Sequence, residues 1–196
     1  EHPTQIYDFL KEIGSTFFQF IPIVEHSHYR VTDNQLDEMI YPTEENALDP
    51  HIAVNKRSVG SEQWGCFLNT IFDHWLAKED VGQIFVRDFE MLLGLVMGLR
   101  STTCVNSETC GNAPAIEHNG DLYSCDHYVD SDYLLGNTAK QSLAEMMNSE
   151  QQIKFGNDKR DTLPQYCLDC DYLKYCWGAC PKDRIKFTPQ KEKGLH

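Results

Sequence analysis

Basic residues are scarce in this sequence, which has 17 lysines and arginines against 30 aspartates and glutamates and a formal net charge of −13. A surface that binds nucleic acid or anionic membranes needs clustered lysine and arginine. Long apolar runs are also missing, since the longest candidate, 91–99, is far shorter than the roughly 18 residues that span a bilayer. We therefore expect no nucleic-acid partner, no membrane insertion and a cytoplasmic location.

Apolar residues are frequent enough, at 41% of 196 residues, to build a packed core. In segment 6–13 they recur at helical spacing, and Gly14 follows where a helix C-cap is expected. The almost continuous apolar run 17–24 predicts a strand buried on both faces, as in a parallel sheet. Segment 31–60 is polar and irregular, which predicts a long loop.

A second helix is predicted from the apolar stripe over 64–76, with Ser61 as its N-cap. Segment 84–86 then predicts a short strand, and a third helical stripe over 89–97 leads to the cysteines. This alternation of helices and strands predicts an α/β fold. We divide the chain into a first domain over residues 1–90 and a second over residues 91–196.

Seven of the eight cysteines are gathered in one stretch, and only Cys66, predicted to be an ordinary thiol, lies outside it. The spacing is Cys104-x5-Cys110-x9-Gly120-x4-Cys125 and, after a gap of 41 residues, Cys167-x2-Cys170-x5-Cys176-x3-Cys180. Thiolates select zinc, copper(I) or iron–sulfur clusters. One tetrahedral zinc site needs four ligands, so seven thiols leave three unused. Disulfides are typical of secreted proteins, and this composition does not resemble such a chain. Two four-sulfur centres fit the count better, although one thiolate is lacking.

The segment between Cys110 and Cys125 predicts a β-hairpin. Asn119-Gly120 is the preferred pair for a two-residue type I′ turn, in which both residues need positive φ. Such a turn brings Cys125 back towards Pro114 and so towards Cys110. Beyond the hairpin, Ser142 and Glu145 fit a capping box that starts a helix, and a second short helix is predicted over 151–155.

The cysteine pattern resembles the SPASM domain, the auxiliary-cluster module of radical S-adenosylmethionine enzymes. More closely, Cys104-x5-Cys110 and the segments 117–127 and 176–182 are similar to anaerobic sulfatase-maturating enzymes. Segment 20–25 and the helix over 64–75 fit the same family. The resemblance implies the C-terminal strands and helices of a partial (β/α)6 barrel, followed by a small α+β SPASM domain with a β-hairpin and cysteine-rich loops.

The resemblance also implies a reaction. In that family, a radical made from S-adenosylmethionine at one [4Fe-4S] cluster removes hydrogen from a Cys or Ser of a sulfatase, and the product is formylglycine. Two auxiliary [4Fe-4S] clusters are thought to accept the released electron. By position, the first auxiliary cluster would be held by Cys104, Cys110, Cys125 and Cys180, and three corners of the second by Cys167, Cys170 and Cys176.

Two further residues match positions of that family. Asp126, next to the ligand Cys125, matches the proton acceptor, a role that needs a rigidly held group. Val24, at the end of the predicted strand, matches an apolar contact to S-adenosylmethionine. The expected partners are a sulfatase polypeptide with a Cys-x-Pro-x-Arg or Ser-x-Pro-x-Arg segment and an electron donor protein.

The sequence departs from the family in two places. It contains no Cys-x3-Cys-x2-Cys motif, and no cysteine follows Cys180 to complete the second cluster. We interpret the chain as the C-terminal part of a maturase, with the radical cluster in a missing N-terminal portion and no activity alone. A structural zinc module and another SPASM peptide-modifying radical enzyme stay open as alternatives, and zinc could fill sites that lack a cluster.

Overall fold

The computed structural model describes residues 2–24, 31–32, 35–36 and 57–195, and it divides into two compact units, residues 1–99 and 100–196. The predicted boundary between residues 90 and 91 falls inside a helix. The assignment of domains to the two units stays a prediction. In the described parts of the chain, no helix is both long and apolar enough to cross a membrane.

The first unit contains three helices and two short strand pairs among its described residues. Its elements are α1 (Pro3–Glu12), β1 (Phe17–Phe18), β2 (Val31–Thr32), β3 (Gln35–Leu36), α2 (Ser61–Ala77), β4 (Phe85–Val86) and α3 (Arg87–Val96). Strands β1 and β4 pair in parallel, with Phe17 opposite Phe85, and β2 pairs with β3 in antiparallel register. The predicted helices and parallel pairing are therefore confirmed.

Several details of the first unit differ from the sequence predictions. The N-cap of α2 is Gly60 and not Ser61, because the Gln63 side chain accepts a hydrogen bond from the Gly60 N–H. The strand predicted over 17–24 is only two residues long. Phe17 is 74% exposed, so burial on both faces is wrong at this position. Most of the predicted loop over 31–60 lies outside the described residues, and its described part includes the β2–β3 pair.

The core of the first unit forms where the helices pack on the parallel pair. Its buried residues are Tyr7, Phe18, Ile71, Trp75, Ile84, Val86 and Phe89. The Trp75 indole N–H donates to the Ile84 carbonyl at 2.9 Å, which satisfies its polar atom inside the core. Tyr7 and Phe18 meet edge to face. The core of the first unit therefore consists mainly of aromatic and aliphatic side chains packed around Trp75.

A buried carboxylate closes one side of that core. Asp80 accepts hydrogen bonds from the Tyr7 hydroxyl at 2.6 Å and from Lys11 Nζ at 2.6 and 2.7 Å. Burial acts to raise the pKa of Asp80, but the hydrogen bonds from Lys11 and Tyr7 outweigh it and hold the pKa below its usual value. Asp80 thus ties α1 to the turn that follows α2.

The second unit is a small α+β assembly. Its elements are β5 (Ala115–Ile116), β6 (Asp121–Tyr123), β7 (Leu134–Asn137), α4 (Leu143–Met147), α5 (Glu150–Asp161), α6 (Gln165–Leu168), α7 (Leu173–Cys176), β8 (Lys186–Phe187) and β9 (Lys193–Leu195). Strands β5, β6 and β7 form an antiparallel sheet in that order, and β8 pairs with β9. Ser142 caps α4 in a capping box with Glu145, as predicted. Helix α5 continues well beyond the predicted 151–155.

The predicted hairpin is present, but its turn type is different. Gly120 has a φ of +88°, whereas Asn119 is not among the residues with positive φ. The Glu117 N–H donates to Asp121 and the Gly120 N–H to Glu117. This pattern is a three-residue loop that ends in a left-handed glycine, for which only Gly120 needs positive φ. The expectation of a two-residue type I′ turn is therefore wrong.

We predict that Asp80→Asn lowers the free energy of unfolding by about 2 kcal/mol, because the charged acceptor of Lys11 and Tyr7 is lost. Urea unfolding followed by circular dichroism measures the change. Asp73→Asn, on the exposed side of α2, is the matched control and should stay within about 0.5 kcal/mol. Equal effects of the two substitutions would contradict the role given to Asp80.

The same substitution also has a predicted pH dependence. Because the native pKa of Asp80 lies below its unfolded value, its stabilising contribution is fully present above the ordinary carboxyl pKa of about 4. The contribution is lost as the pH falls through the lower native pKa. The stability difference between the wild type and Asp80→Asn should therefore be constant near neutral pH and shrink on acidification, as urea titrations at several pH values can measure.

Candidate metal centre

One face of α5 carries three buried residues at spacing i, i+4 and i+7, namely Gln152, Gly156 and Lys159. The Gln152 amide donates to the Gly111 carbonyl at 2.6 Å and to the Ser124 carbonyl at 3.1 Å. Gly111 directly follows Cys110, and Ser124 directly precedes Cys125. A single side chain thus links the backbone next to two cysteines that are 15 residues apart.

Gly156 permits the closest approach of α5 to a cysteine. The Cys110 N–H donates to the Gly156 carbonyl at 3.1 Å. A Cβ atom at position 156 would lie 2.6 Å from the Cys110 carbonyl oxygen, which is closer than real Cβ contacts. The helix therefore needs a glycine here because backbone packs directly on backbone.

Lys159 binds the loop that joins Cys104 to Cys110. Its ammonium group donates to the carbonyls of Val105, at 2.9 Å, and Ser107. Burial is the largest cause that lowers the pKa of Lys159 to about 8, and the nearby Arg184 charge adds to it. The α5 stripe therefore holds the backbone around three of the cysteines.

The loop from Cys176 to Cys180 has an unusual backbone. Its three inner residues, Trp177, Gly178 and Ala179, all have positive φ, at 48°, 63° and 50°. Left-handed conformation in a residue other than glycine costs of the order of 1–3 kcal/mol and needs support from its surroundings. Arg184 provides this support, since its Nε donates to the Gly178 carbonyl and one terminal nitrogen to the Trp177 carbonyl, both at 2.8 Å.

Position 178 has no room for a side chain, so it also requires a glycine for steric reasons. A Cβ atom there would lie 2.5 Å from Leu163 Cδ2 and 3.0 Å from the Arg184 guanidinium. The tight turn holds Cys176 and Cys180 on either side of three left-handed residues. Their relative position is therefore determined by this backbone conformation together with Arg184.

All eight cysteines, each in the described parts of the chain, have free thiols. Four of them affect one another's pKa values. The charges of Cys180 and Cys104 act to raise the pKa of Cys110, the charge of Cys180 acts to raise the pKa of Cys125, and the charge of Cys104 acts to raise the pKa of Cys180. We call these four the first cysteine group. Burial is the main cause that raises the pKa of Cys110 and Cys180, and it raises the pKa of Cys125 to about 12.

The second cysteine group consists of Cys167, Cys170 and Cys176. Burial raises the pKa of Cys167, and the charges of Cys176 and Cys170 raise it further. Both groups are sets of half-buried or exposed thiols without disulfides, and this donor chemistry fits a soft metal or an iron–sulfur core. Cys66 lies in α2 of the first unit, apart from both groups in sequence.

Asp126 and His127 lie beside the first cysteine group. The Cys125 thiol donates to Asp126 Oδ1 at 3.2 Å, and His127 Nδ1 lies 3.6 Å from Cys180 Sγ. Donor atoms of Cys125, Asp126 and His127 lie within 4.8 Å of one another. The structure thus places the predicted base next to the first group. Val24 is half-buried in the first unit, six residues beyond β1, and its predicted cofactor contact stays a prediction.

Sequence reasoning missed Gln152, Gly156, Lys159 and Arg184. The helix that carries the first three is polar on most sides, so its buried face has no apolar periodicity to reveal it. Arg184 follows the last cysteine by four residues and resembles any surface arginine in sequence. A glycine inside a helical segment, Gly156, was the only local sign of a close contact.

Comparisons with known proteins match this chain to a family model and to curated enzymes. The family described as SPASM, an iron–sulfur cluster-binding domain, matches residues 104–171. The chain is 43% identical over 196 residues to the serine-type anaerobic sulfatase-maturating enzyme of Bacteroides thetaiotaomicron, with 100% of this chain and 45% of that protein covered. It is 27% identical over 184 residues to the cysteine-type enzyme of Clostridium novyi, with 93% and 43% covered.

Solved structures show the same fold. Native anSMEcpe with bound AdoMet superposes with a TM-score of 0.72 at 22% identity, over 98% of this chain and 47% of that chain. Native anSMEcpe with bound AdoMet and the Cp18Cys peptide superposes with a TM-score of 0.72 at 23% identity, over 98% and 48%. The chain therefore spans less than half the length of these relatives.

We predict that Gly156→Ala destabilises the second unit by about 1–3 kcal/mol, because the added methyl group pushes α5 away from the Cys110 carbonyl. Gly65→Ala in α2 is the matched control, since nothing lies within 4 Å of a Cβ atom there. That substitution should stabilise its helix by about 0.5–1 kcal/mol. Thermal unfolding of both variants measures the difference, and stabilisation by Gly156→Ala would contradict the proposed backbone contact.

Proposed function

We propose, from the premise that this chain is homologous to the C-terminal portion of anaerobic sulfatase-maturating enzymes and carries their SPASM domain, that it is the auxiliary-cluster part of such an enzyme. The observation that carries the proposal is that the second unit contains seven free cysteines and that α5 and Arg184 hold the backbone around Cys104, Cys110 and Cys125 and the loop 176–180 in place. The first unit, with its parallel β1–β4 pair under helices, would be the last part of a partial (β/α)6 barrel.

The first cysteine group would hold a complete [4Fe-4S] cluster, and the second group would supply three ligands to another. The four sulfurs of the first group come from separate places in the chain, so a shared metal would join the loops 104–110 and 176–180 to the β6 hairpin. When bound, such clusters accept single electrons. The chain's own part is to hold their thiolates in half-buried or exposed positions.

Asp126 would act as the proton acceptor for the Cys or Ser of a sulfatase. Its carboxylate is exposed, so a substrate side chain can reach it, and its backbone is held next to Cys125. The Cys125 thiol donates to Asp126 Oδ1 at 3.2 Å, so this oxygen is within reach of a proton donor. As a metal ligand Cys125 would be a thiolate without a proton to donate, and Asp126 Oδ1 would then be available to accept a proton from a substrate.

The proposed overall reaction is oxidation of a Cys or Ser in a sulfatase to formylglycine, with S-adenosylmethionine as the radical source. Relatives include both serine-type and cysteine-type enzymes, which supports this substrate class for the whole protein. Solved anSMEcpe structures contain AdoMet together with the Kp18Cys or Cp18Cys peptide. A Cys-x-Pro-x-Arg or Ser-x-Pro-x-Arg peptide is therefore the proposed partner, with an electron donor protein, and Val24 remains a proposed contact to S-adenosylmethionine.

Zinc is the second candidate for the first site. The close donor set of Cys125, Asp126 and His127, with Cys180 Sγ 3.6 Å from His127, has the mixture of sulfur, nitrogen and oxygen that zinc accepts. Zinc would give a colourless protein without sulfide. Iron and sulfide counts after anaerobic reconstitution therefore separate the two candidates.

We predict that the reconstituted chain binds iron and inorganic sulfide and that Cys180→Ser loses the first cluster, since a ligand of the first group is removed. Cys66→Ser is the matched control, because this thiol lies in α2 and belongs to neither group. It should retain the iron and sulfide of the wild type. Uptake of zinc alone, or equal iron retention in both variants, would argue against the ligand assignment.

We predict that Asp126→Asn, made in the protein that contains the rest of the barrel, keeps its clusters but loses formylglycine formation by at least about 100-fold. Asp132→Asn, which changes another exposed aspartate of the same unit, should keep full activity. Mass spectrometry of a Cys-x-Pro-x-Arg or Ser-x-Pro-x-Arg peptide measures the product. Full activity of Asp126→Asn would exclude this residue as the base.

A further inference from the structure

Two cations are buried in the second unit, where burial of charge is unfavourable. Lys159 is 1% exposed and Arg184 is 7% exposed. Within the described part of the chain, neither side chain forms a salt bridge with a carboxylate, in contrast to Lys154 and Arg160 of the same helix region. An unpaired buried charge costs several kcal/mol, so these two residues require a source of negative charge.

Their hydrogen bonds do not provide that charge. Lys159 donates to the carbonyls of Val105 and Ser107, and Arg184 donates to those of Trp177 and Gly178. Carbonyl groups satisfy N–H donors but leave the positive charge uncompensated. In addition, one terminal nitrogen of Arg184, Nη1, is buried without any hydrogen-bond partner. The guanidinium therefore keeps an unused donor as well as an unbalanced charge.

The groups that influence the pKa values of these cations are mainly cysteines, which would be negative as metal-bound thiolates, and Tyr128 also acts on Arg184. The thiols that act on Lys159 are Cys110, Cys104 and Cys176, and those that act on Arg184 are Cys167, Cys176 and Cys180. The pKa of each cation is thus influenced by members of both cysteine groups, and the charge of Arg184 also lowers the pKa of Lys159. Lys159 lies against the backbone of the loop 104–110, and Arg184 lies against the backbone of the loop 176–180.

We propose that Lys159 and Arg184 are built-in counter-cations shared by the two cysteine groups, which stabilise the anionic, reduced form of the iron–sulfur clusters held there. The assignment rests on the proposed function, because it needs clusters with thiolate ligands. Four thiolates carry more negative charge than the iron–sulfur core cancels, and a one-electron reduction adds another negative charge. A fixed positive charge in a medium of low dielectric constant favours this reduced state.

The two cations also position the ligands. Lys159 holds the loop between Cys104 and Cys110, and Arg184 holds the left-handed loop between Cys176 and Cys180. The first of these loops carries Cys104 and Cys110 of the first cysteine group, and the second carries Cys180. Charge compensation and loop geometry are therefore provided by the same two side chains, which makes them positioning residues rather than catalytic ones.

The test is the reduction potential of the reconstituted full chain, measured by titration with detection by electron paramagnetic resonance. Lys159→Met removes the charge and keeps a side chain of similar length. At a given potential the ratio of reduced to oxidised cluster should fall about tenfold, so the midpoint potential should become more negative by about 59 mV for one electron. The rise in Tm on cluster loading should also be smaller. Lys159→Arg keeps the charge and should stay close to the wild-type potential.

Lys154→Met is the matched control, since Lys154 lies in the same helix, is 73% exposed and pairs with Asp158. It should leave the potential unchanged. A wild-type potential in Lys159→Met would overturn the counter-cation assignment alone, whereas a wild-type chain that takes up no iron and sulfide would overturn the proposed function as well. Loss of loading in Lys159→Met that Lys159→Arg restores would support the role of charge, and loss in both would contradict it.

Discussion

The contact between helix α5 and the loop that carries Cys104 and Cys110 is the interaction on which the candidate metal centre depends. Gln152, Gly156 and Lys159 form a buried polar stripe, and each makes hydrogen bonds with backbone beside a cysteine. Cysteine side chains are short, so their sulfurs converge only where the backbone itself is held. Helix α5 holds this backbone through the Gln152 amide, the Gly156 carbonyl and the Lys159 ammonium group.

The two units solve the problem of folding in different ways. The first has a conventional apolar core of stacked and edge-to-face aromatic rings, and Asp80 is its single buried charged residue among the described residues. The second buries Ser124, Gln152, Lys159, Arg184 and Thr188 besides a smaller apolar set. The positive charges of Lys159 and Arg184 need compensation in this interior, and the thiolates of a metal-bound cluster would provide negative charge. Structure and chemistry are therefore coupled in the second unit.

Local patterns were good guides where the cause was local. The helical stripes of α1, α2 and α3 and the Ser142 cap follow from side-chain spacing within a single element, and the structure contains them. The type of the hairpin turn was wrong, because Asn119-Gly120 is compatible with more than one loop and the register at Glu117 selects among them. Helix α5 was predicted too short, because its buried face is polar and lacks an apolar period.

The sequence by itself determined the donor chemistry: seven thiols in an acidic chain, spaced so that an Asn-Gly hairpin returns Cys125 towards Cys110, already indicate soft-metal or iron–sulfur binding. Only the tertiary structure decided which buried cations accompany those thiols and how the loops are held. Lys159 binds the backbone between Cys104 and Cys110, which is far from it in the chain, and Arg184 binds a left-handed backbone at residues 177–179 that local sequence does not reveal. Charge compensation depends on distance in space, and sequence separation carries no information about it.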